Sequence, residues 1–256
     1  MARRRCICLL LVLASGCKTI PEDAYGIDQI RFSGMETLDP EALRACLASQ
    51  ERERVTFSFG TSADPSCGVP PFDGNRVSFD LWRKLRKGWP TLDSAVFDRD
   101  MQRIERWYQA RGYYDAAVVS TEFDPPSAAN DDRIVVAPGG QAPCDREGAD
   151  EGCKLSIDIE VEEGEPVLVA SIDVSGHETW ESENREKVEN AIELEVGKPF
   201  DESIYERSKR AIRRQLKEAS YACGNVSGRV EIDRESREAS VALYVEAGQA
   251  LVGEQA

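Results

Sequence analysis

Carboxylates are the commonest groups in this sequence that could do chemistry: Asp and Glu account for 47 of 256 residues. Glu162-Glu163 and Asp131-Asp132 are adjacent like pairs that could be imagined as an acid and a base. Acid/base catalysis needs convergent groups, and neighbours in a strand or turn point apart, so both pairs read as solvated charges. Asp131, Asp132, Asp145 and Asp150 fall in one polar stretch and offer oxygen ligands, but without the spacing of a calcium-binding EF-hand loop. His177 is the only histidine, it has no zinc-type spacing to any cysteine, and no C-x-x-C pair exists. Nucleophile-elbow, Walker and dinucleotide motifs are missing as well. The expectation is a protein with no catalytic residues, no metal and no cofactor.

The eight cysteines carry the remaining reactivity. Arg3-Arg4-Arg5 followed by the apolar run Cys6 to Leu13 has the form of a secretory signal peptide, too short to span a bilayer. Leu13-Ala14-Ser15-Gly16-Cys17 ends it with small residues before a cysteine, which looks like a bacterial lipobox with Cys17 as the lipidated first residue. Ordinary cleavage near Ala14-Ser15-Gly16, leaving Cys17 a spare thiol, is the other reading. Nearby cysteines in an exported chain are expected to be oxidised. Cys144 and Cys153 bracket a polar loop and form one expected bridge; Cys46 and Cys67 form the second if the fold brings them together. Cys223 is left over as a small apolar residue.

The net charge of −15 argues against nucleic-acid binding, which rests on neutralising phosphates, and against broad docking on anionic lipid. An acidic balance also serves simply to keep an exported protein soluble. Leu81 to Lys87 is a small basic island, read either as a contact for lipid headgroups or an acidic partner, or as a short turn with solvated charges.

Alternation of apolar and polar residues predicts strands at Ile27–Gly34, Ala117–Phe123 and Leu155–Val161. Asp39-Pro40 starts a short helix that buries Leu43, Cys46 and Leu47. Phe97, Met101, Ile104 and Tyr108 recur at steps of three and four and predict a long helix, with Asp98 as its cap, Phe97 outside it, and Gly112 as its exit. The stretches 49–95 and 124–152 interrupt this order as insertions. The first holds alternating runs, Val55 to Phe59 and Val77 to Phe79, around a Gly/Pro-rich centre.

Comparing the chain with itself extends the reading. Ser33-Gly34-Met35-Glu36-Thr37-Leu38 recurs as Ser175-Gly176-His177-Glu178-Thr179-Trp180, and Phe97-Asp98 as Phe200-Asp201. Tyr113 to Val118 recurs as Tyr221 to Val226, and Val161-Glu162-Glu163-Gly164 as Val245-Glu246-Ala247-Gly248. The order is the same in both copies, so each is a β-α-α-β-β unit burying one sheet face under two helices. Helices are expected at Asn184–Leu194 and Asp201–Ala219 in the second copy. The organisation predicted is α+β: 1–16 signal, 17–26 tether, 27–165 first module, 166–250 second module and 251–256 tail.

This ordered set, with G-Y-Y-D-A-A-V after the long helix and I-D-I-E-V-E-E-G-E-P-V in the last strand, resembles the polypeptide-transport-associated (POTRA) domain. The setting is the periplasmic arm of outer-membrane assembly proteins of the BamA and TamA type. The resemblance implies two tandem modules, each a three-stranded mixed sheet with the third strand in the centre. It also implies an arm at the periplasmic face of the outer membrane that binds unfolded outer-membrane proteins or assembly subunits, partly by strand addition to the exposed second-strand edge. On this chain those edges hold Val118, Ser120 and Glu122 in the first copy, and Val226, Gly228 and Val230 in the second. The alternative is a connector in another envelope complex, of the division or two-partner secretion type. Two departures stand out: Ser220-Tyr221 replaces Gly112-Tyr113, and arms of this family lead into a β-barrel whereas this sequence ends at Ala256. Leu251 to Glu254 looks like the start of a third unit, so a truncated product and a free lipoprotein are both expected readings.

Overall fold

A computed structural model describes residues 20–21, 24–52, 66–69, 88–126, 128, 152–178, 180–219, 224–246 and 248. The expected signal, Cys17, Cys144, Cys223, the basic island and the aspartates of the second insertion lie outside the described residues.

The first module contains β1 (Tyr25–Ser33), α1 (Pro40–Arg44), α2 (Ser94–Gln109), β2 (Ala117–Asp124) and β3 (Cys153–Glu162). The second contains β4 (Leu168–Ser175), α3 (Ser182–Glu189), α4 (Glu202–Glu218), β5 (Asn225–Asp233) and β6 (Glu238–Glu246). The sheets have the orders β1-β3-β2 and β4-β6-β5. In each the central strand runs parallel to the first and antiparallel to the second. The central strands alternate strictly: Leu155, Ile157, Ile159 and Val161 in one, and Ala239, Val241, Leu243 and Val245 in the other, are buried. Those residues meet Ile104, Trp107 and Tyr108 of α2 in one core, and Ile212 and Leu216 of α4 in the other. Fully burying one such aliphatic side chain is worth about 1.5–3 kcal/mol, so the two helix stripes and two central strands carry most of the stabilisation.

The structure moves several boundaries. Tyr25 and Gly26, placed in the tether by sequence, belong to β1, and Tyr25 is wholly buried. Helix α2 starts at Ser94, so Phe97 lies inside it, and its cap is Asp93, whose side chain accepts from the Val96 amide. Asp98 is exposed on the outer face of the first turns. The reason is a short extended segment before the helix: Thr91 bridges Gly26, the Leu92 amide donates to the Tyr25 carbonyl, and the Ile27 amide donates to the Pro90 carbonyl. Those residues, assigned to the first insertion by sequence, are part of the module. The second module repeats the arrangement with Pro199 bridging Leu168 and the Phe200 amide donating to Val167. Leu92-Asp93, and not Phe97-Asp98, is therefore the counterpart of Phe200-Asp201. Helix α3 runs Ser182–Glu189 where Asn184–Leu194 is expected. It ends early because Ser208 Oγ in α4 accepts from the Glu193 amide, holding the chain beyond Asn190 out of a helix.

Candidate partner-binding edges and the joint between modules

The two edges of the first sheet are unlike. Along β1, the Ile27 amide is bonded to Pro90, the Ile27 carbonyl accepts from the Arg52 amide, the Ile30 amide donates to Glu51 Oε2 (3.1 Å), and the Ile30 carbonyl accepts from Arg44 Nη2 (2.9 Å). Among the described residues, no strand lies outside β2. The second sheet repeats this asymmetry, with Val169 bonded to Lys198 and Gly197 along β4 and no strand described beyond β5.

The sequence-selected edge residues are placed differently in the two copies. Val118 pairs with Val161 and packs against the core, but the register shifts between Val118 and Ser120. This β-bulge leaves Val119 51% exposed and reverses the facing of the next residues in β2. Ser120 donates to Glu160 Oε2 (2.8 Å) and Glu122 stands opposite Asp158, both on the outer sheet face. Asp158 in turn accepts two bonds from Arg31, which hold its carboxyl below the usual carboxylate range. In β5 the ladder is continuous, and Val226, Gly228 and Val230 share the face under the helices. A Cβ on Gly228 would collide with the Tyr205 hydroxyl.

Beside β5 lies a cleft of about 300 Å³ lined by Tyr205, Phe200, Val230, Ile232, Glu202 and, from the first module, Tyr114. Register explains it. Phe123, opposite Ile157, matches Val230, opposite Val241, and Phe97 matches Tyr205. In the first copy Phe97 and Phe123 fill this space ring to ring, with centroids 5.4 Å apart. The smaller Val230 leaves it open.

Tyr114 reaches that cleft because the end of α2 is also the joint. Gly112 has φ +88, and a Cβ there would lie 2.7 Å from the Phe200 carbonyl oxygen, so only glycine serves. Its carbonyl accepts from the Val167 amide (2.8 Å), and that of Ala110 accepts from the Glu202 amide (2.9 Å). Arg106 pairs with Glu202 at 2.5 Å, and Arg234 with Asp115.

Two buried carboxylates act as structural braces that the sequence alone does not reveal. Asp100 is wholly buried and accepts from the amides of Ala48 (2.9 Å) and Ser49 (2.7 Å). Glu163 turns inward while Glu162 faces solvent, and accepts from the amides of Glu36 (3.1 Å) and Thr37 (2.9 Å) and from Tyr108 Oη (3.0 Å). Burial alone would raise both groups, but the donated hydrogen bonds outweigh it and hold both below their ordinary range. A pattern does exist for Asp100: it falls on the buried face between Phe97 and Ile104. His177, the sole imidazole, is buried with Nε2 3.3 Å from Glu189 Oε1. Among the described residues no group of three His, Cys, Asp or Glu is placed to hold a metal ion. Cys46 and Cys67 are joined, with Cα atoms 5.3 Å apart. Cys153 is disulfide-bonded and buried; its expected partner Cys144 is not described. No described helix is long and apolar enough to cross a membrane.

The chain is similar in part to several solved structures. Among solved structures, POTRA domains 3–5 of BamA from Haemophilus influenzae are 18% identical, with 90% of this chain and 70% of that one covered and a TM-score of 0.40. The N-terminal domain of Omp85 from Thermosynechococcus elongatus is 12% identical over 87% of this chain and 66% of its own, TM-score 0.30. CdiB from Escherichia coli is 11% identical, TM-score 0.31, and the match covers 90% of this chain but 28% of CdiB. No curated protein matches. The family model for POTRA, described as the surface antigen variable number repeat, matches residues 25–164 and again 167–248. Nearly the whole described chain is thus accounted for by two copies of one unit, and the protein belongs to the POTRA family.

Proposed function

We propose that this chain is a non-enzymatic binding scaffold in outer-membrane protein assembly or insertion, working at the periplasmic face of the outer membrane. Residues 1–16 are its signal, Cys17 its lipid anchor and 17–24 its tether; 25–165, starting with β1, and 166–250 are its working modules. It engages unfolded outer-membrane proteins or assembly subunits by strand addition along β2 and β5. The observation that carries this reading is the asymmetry of the edges. In both sheets neighbouring chain bonds the outer edge of the first strand, at Ile27 and Ile30 in β1 and at Val169 in β4, while the second strand has no described neighbour outside it. An edge of unpaired N–H and C=O groups is a template for another chain. The cleft beside β5 supplies the side-chain half of such recognition, since alternate residues of an added strand would fall toward it.

The test is photo-cross-linking in envelopes from a photoreactive residue at Val119 in β2 or Arg229 in β5, with Gln29 in β1 and Asp173 in β4 as controls. Adducts with barrel proteins or their assembly subunits from the first pair alone support the proposal. Adducts solely with division or secretion components, or equal yields from all four positions, would sink it.

A further inference from the structure

The first insertion touches the rest of the module at a telling place. Arg111 Nη2 donates to the Ser66 carbonyl at 2.5 Å. A Cβ on Gly68, whose φ is +74, would stand 3.0 Å from Ala110 Cβ and 3.1 Å from the Arg106 carbonyl. Residues 66–69 therefore lie on the last turn of α2, with the Arg111 guanidinium sandwiched between that strap and the Trp107 ring, 3.7 Å from its centroid. The same turn holds the second module through Arg106, Ala110 and Gly112. What fixes the strap is the Cys46–Cys67 bond, rooted just beyond α1, where the Cys46 amide donates to the Leu43 carbonyl.

We propose that the Cys46–Cys67 disulfide is a redox latch on the inter-module joint. Closed, it presses 66–69 onto α2 and keeps residues 106–112 in the shape that the second module grips. Opened by a dithiol, it frees the strap, Arg111 loses its partner at Ser66, and the two modules uncouple while each keeps its core. In that step a reductant thiolate attacks one cysteine sulfur, the S–S bond breaks, and a mixed disulfide forms. The second reductant thiolate then attacks the reductant's own sulfur in that mixed disulfide and expels the cysteine still bound to it. The two cysteine thiolates take up the two protons the dithiol has lost, leaving two cysteine thiols and a cyclic oxidised dithiol. Access selects the bond: Cys46 and Cys67 are half-buried, with Val69 beside them 51% exposed, whereas the disulfide-bonded Cys153 is buried. The latch acts on the arm's geometry and does not depend on what the arm binds.

Amide hydrogen exchange on the full chain tests it. Dithiothreitol is raised until alkylation mapping finds Cys46 and Cys67 free and Cys153 still blocked. The amides of Val167 and Glu202 should then exchange about tenfold faster, as a local opening does, with Val241 and Leu243 in β6 unchanged. Joint amides that stay protected, Cys153 released first, or an equal rise in β6 would each overturn the latch. Cys46→Ser with Cys67→Ser should reproduce the pattern without reductant. Gly68→Val provides a check with the disulfide intact: the added bulk lifts the strap, and unchanged exchange at Val167 and Glu202 would equally overturn the proposal.

Discussion

At one matched position in the long helix the first module buries Asp100 and the second buries Ser208, both wholly inaccessible. They do the same work: Asp100 holds the amides of Ala48 and Ser49 behind α1, and Ser208 holds the amide of Glu193 behind α3. The difference lies in what each solution demands. Ser208 takes one donor and returns its own hydrogen to the Ile204 carbonyl, a neutral and self-contained arrangement. Asp100 takes two amides and Arg103 as well, with a charge that must stay ionised in a buried place. One topology thus tolerates a charged and a neutral brace at the same point, provided every donor is met.

Removing the two braces should give the largest effect. Asp100→Ala strands the buried Ser49 amide and the part-buried Ala48 amide and should destabilise the first module by about 3 kcal/mol, against about 1 kcal/mol for Ser208→Ala in the second. Urea melts combined with exchange at β3 and β6 amides separate the modules. Equal losses would show that the charged brace carries no more than the neutral one.

The second brace exists in one copy alone. Tyr108 donates to Glu163, which caps the turn after β1; the second copy has Leu216 and Ala247 in those places. Glu163→Gln turns an amide N–H toward existing donors and should cost about 1–3 kcal/mol. Acid sharpens the point. Asp100 and Glu163 both have folded pKa values below their unfolded ones, so their stabilisation is complete above the unfolded values and fades as pH falls through the folded ones. The window opens below about pH 4. Protection of β3 should fall with acid in the parent chain and fall less in Asp100→Asn with Glu163→Gln; an unchanged slope refutes the assignment.

Much of this architecture is legible in the sequence. Alternation locates the three strands of the first module, and the self-match of Ser33-Gly34 with Ser175-Gly176 locates the duplication, because period and turn chemistry are local properties. The start of α2 misleads because Phe97-Asp98 imitates Phe200-Asp201. Only the bridge from Thr91 to Gly26, a contact distant in sequence, shows that Asp93 is the cap. The bulge at Val119 is invisible for a similar reason: register is a property of two strands, and the outward turn of Ser120 and Glu122 depends on it. Glu163 hides in plain view beside Glu162, since only the fold shows which of two glutamates turns inward.

The smallest and most specific difference concerns Thr121 and Gly228, which stand opposite the matched residues Ile159 and Leu243. Thr121 sits under the helix that carries Phe97, a ring without a hydroxyl. Gly228 sits under the one that carries Tyr205, whose hydroxyl occupies the space where a Cβ would be. The helix–sheet contact is therefore filled from opposite sides in the two modules: Thr121 in β2 reaches up to Met101 in α2, whereas Tyr205 in α4 reaches down over Gly228 in β5. Gly228→Ala alone should overpack this contact and lower stability by about 1 kcal/mol. Tyr205→Phe alone should change little, because Tyr205 borders an open cleft. If the volumes are coupled, the double variant recovers most of the loss, a coupling within the range of about 0.5–3 kcal/mol for residues in contact. Strict additivity in thermal melts of the four proteins would mean that Gly228 answers to the backbone, and that Ala242, whose carbonyl lies 2.9 Å from the same Cβ position, decides the residue instead.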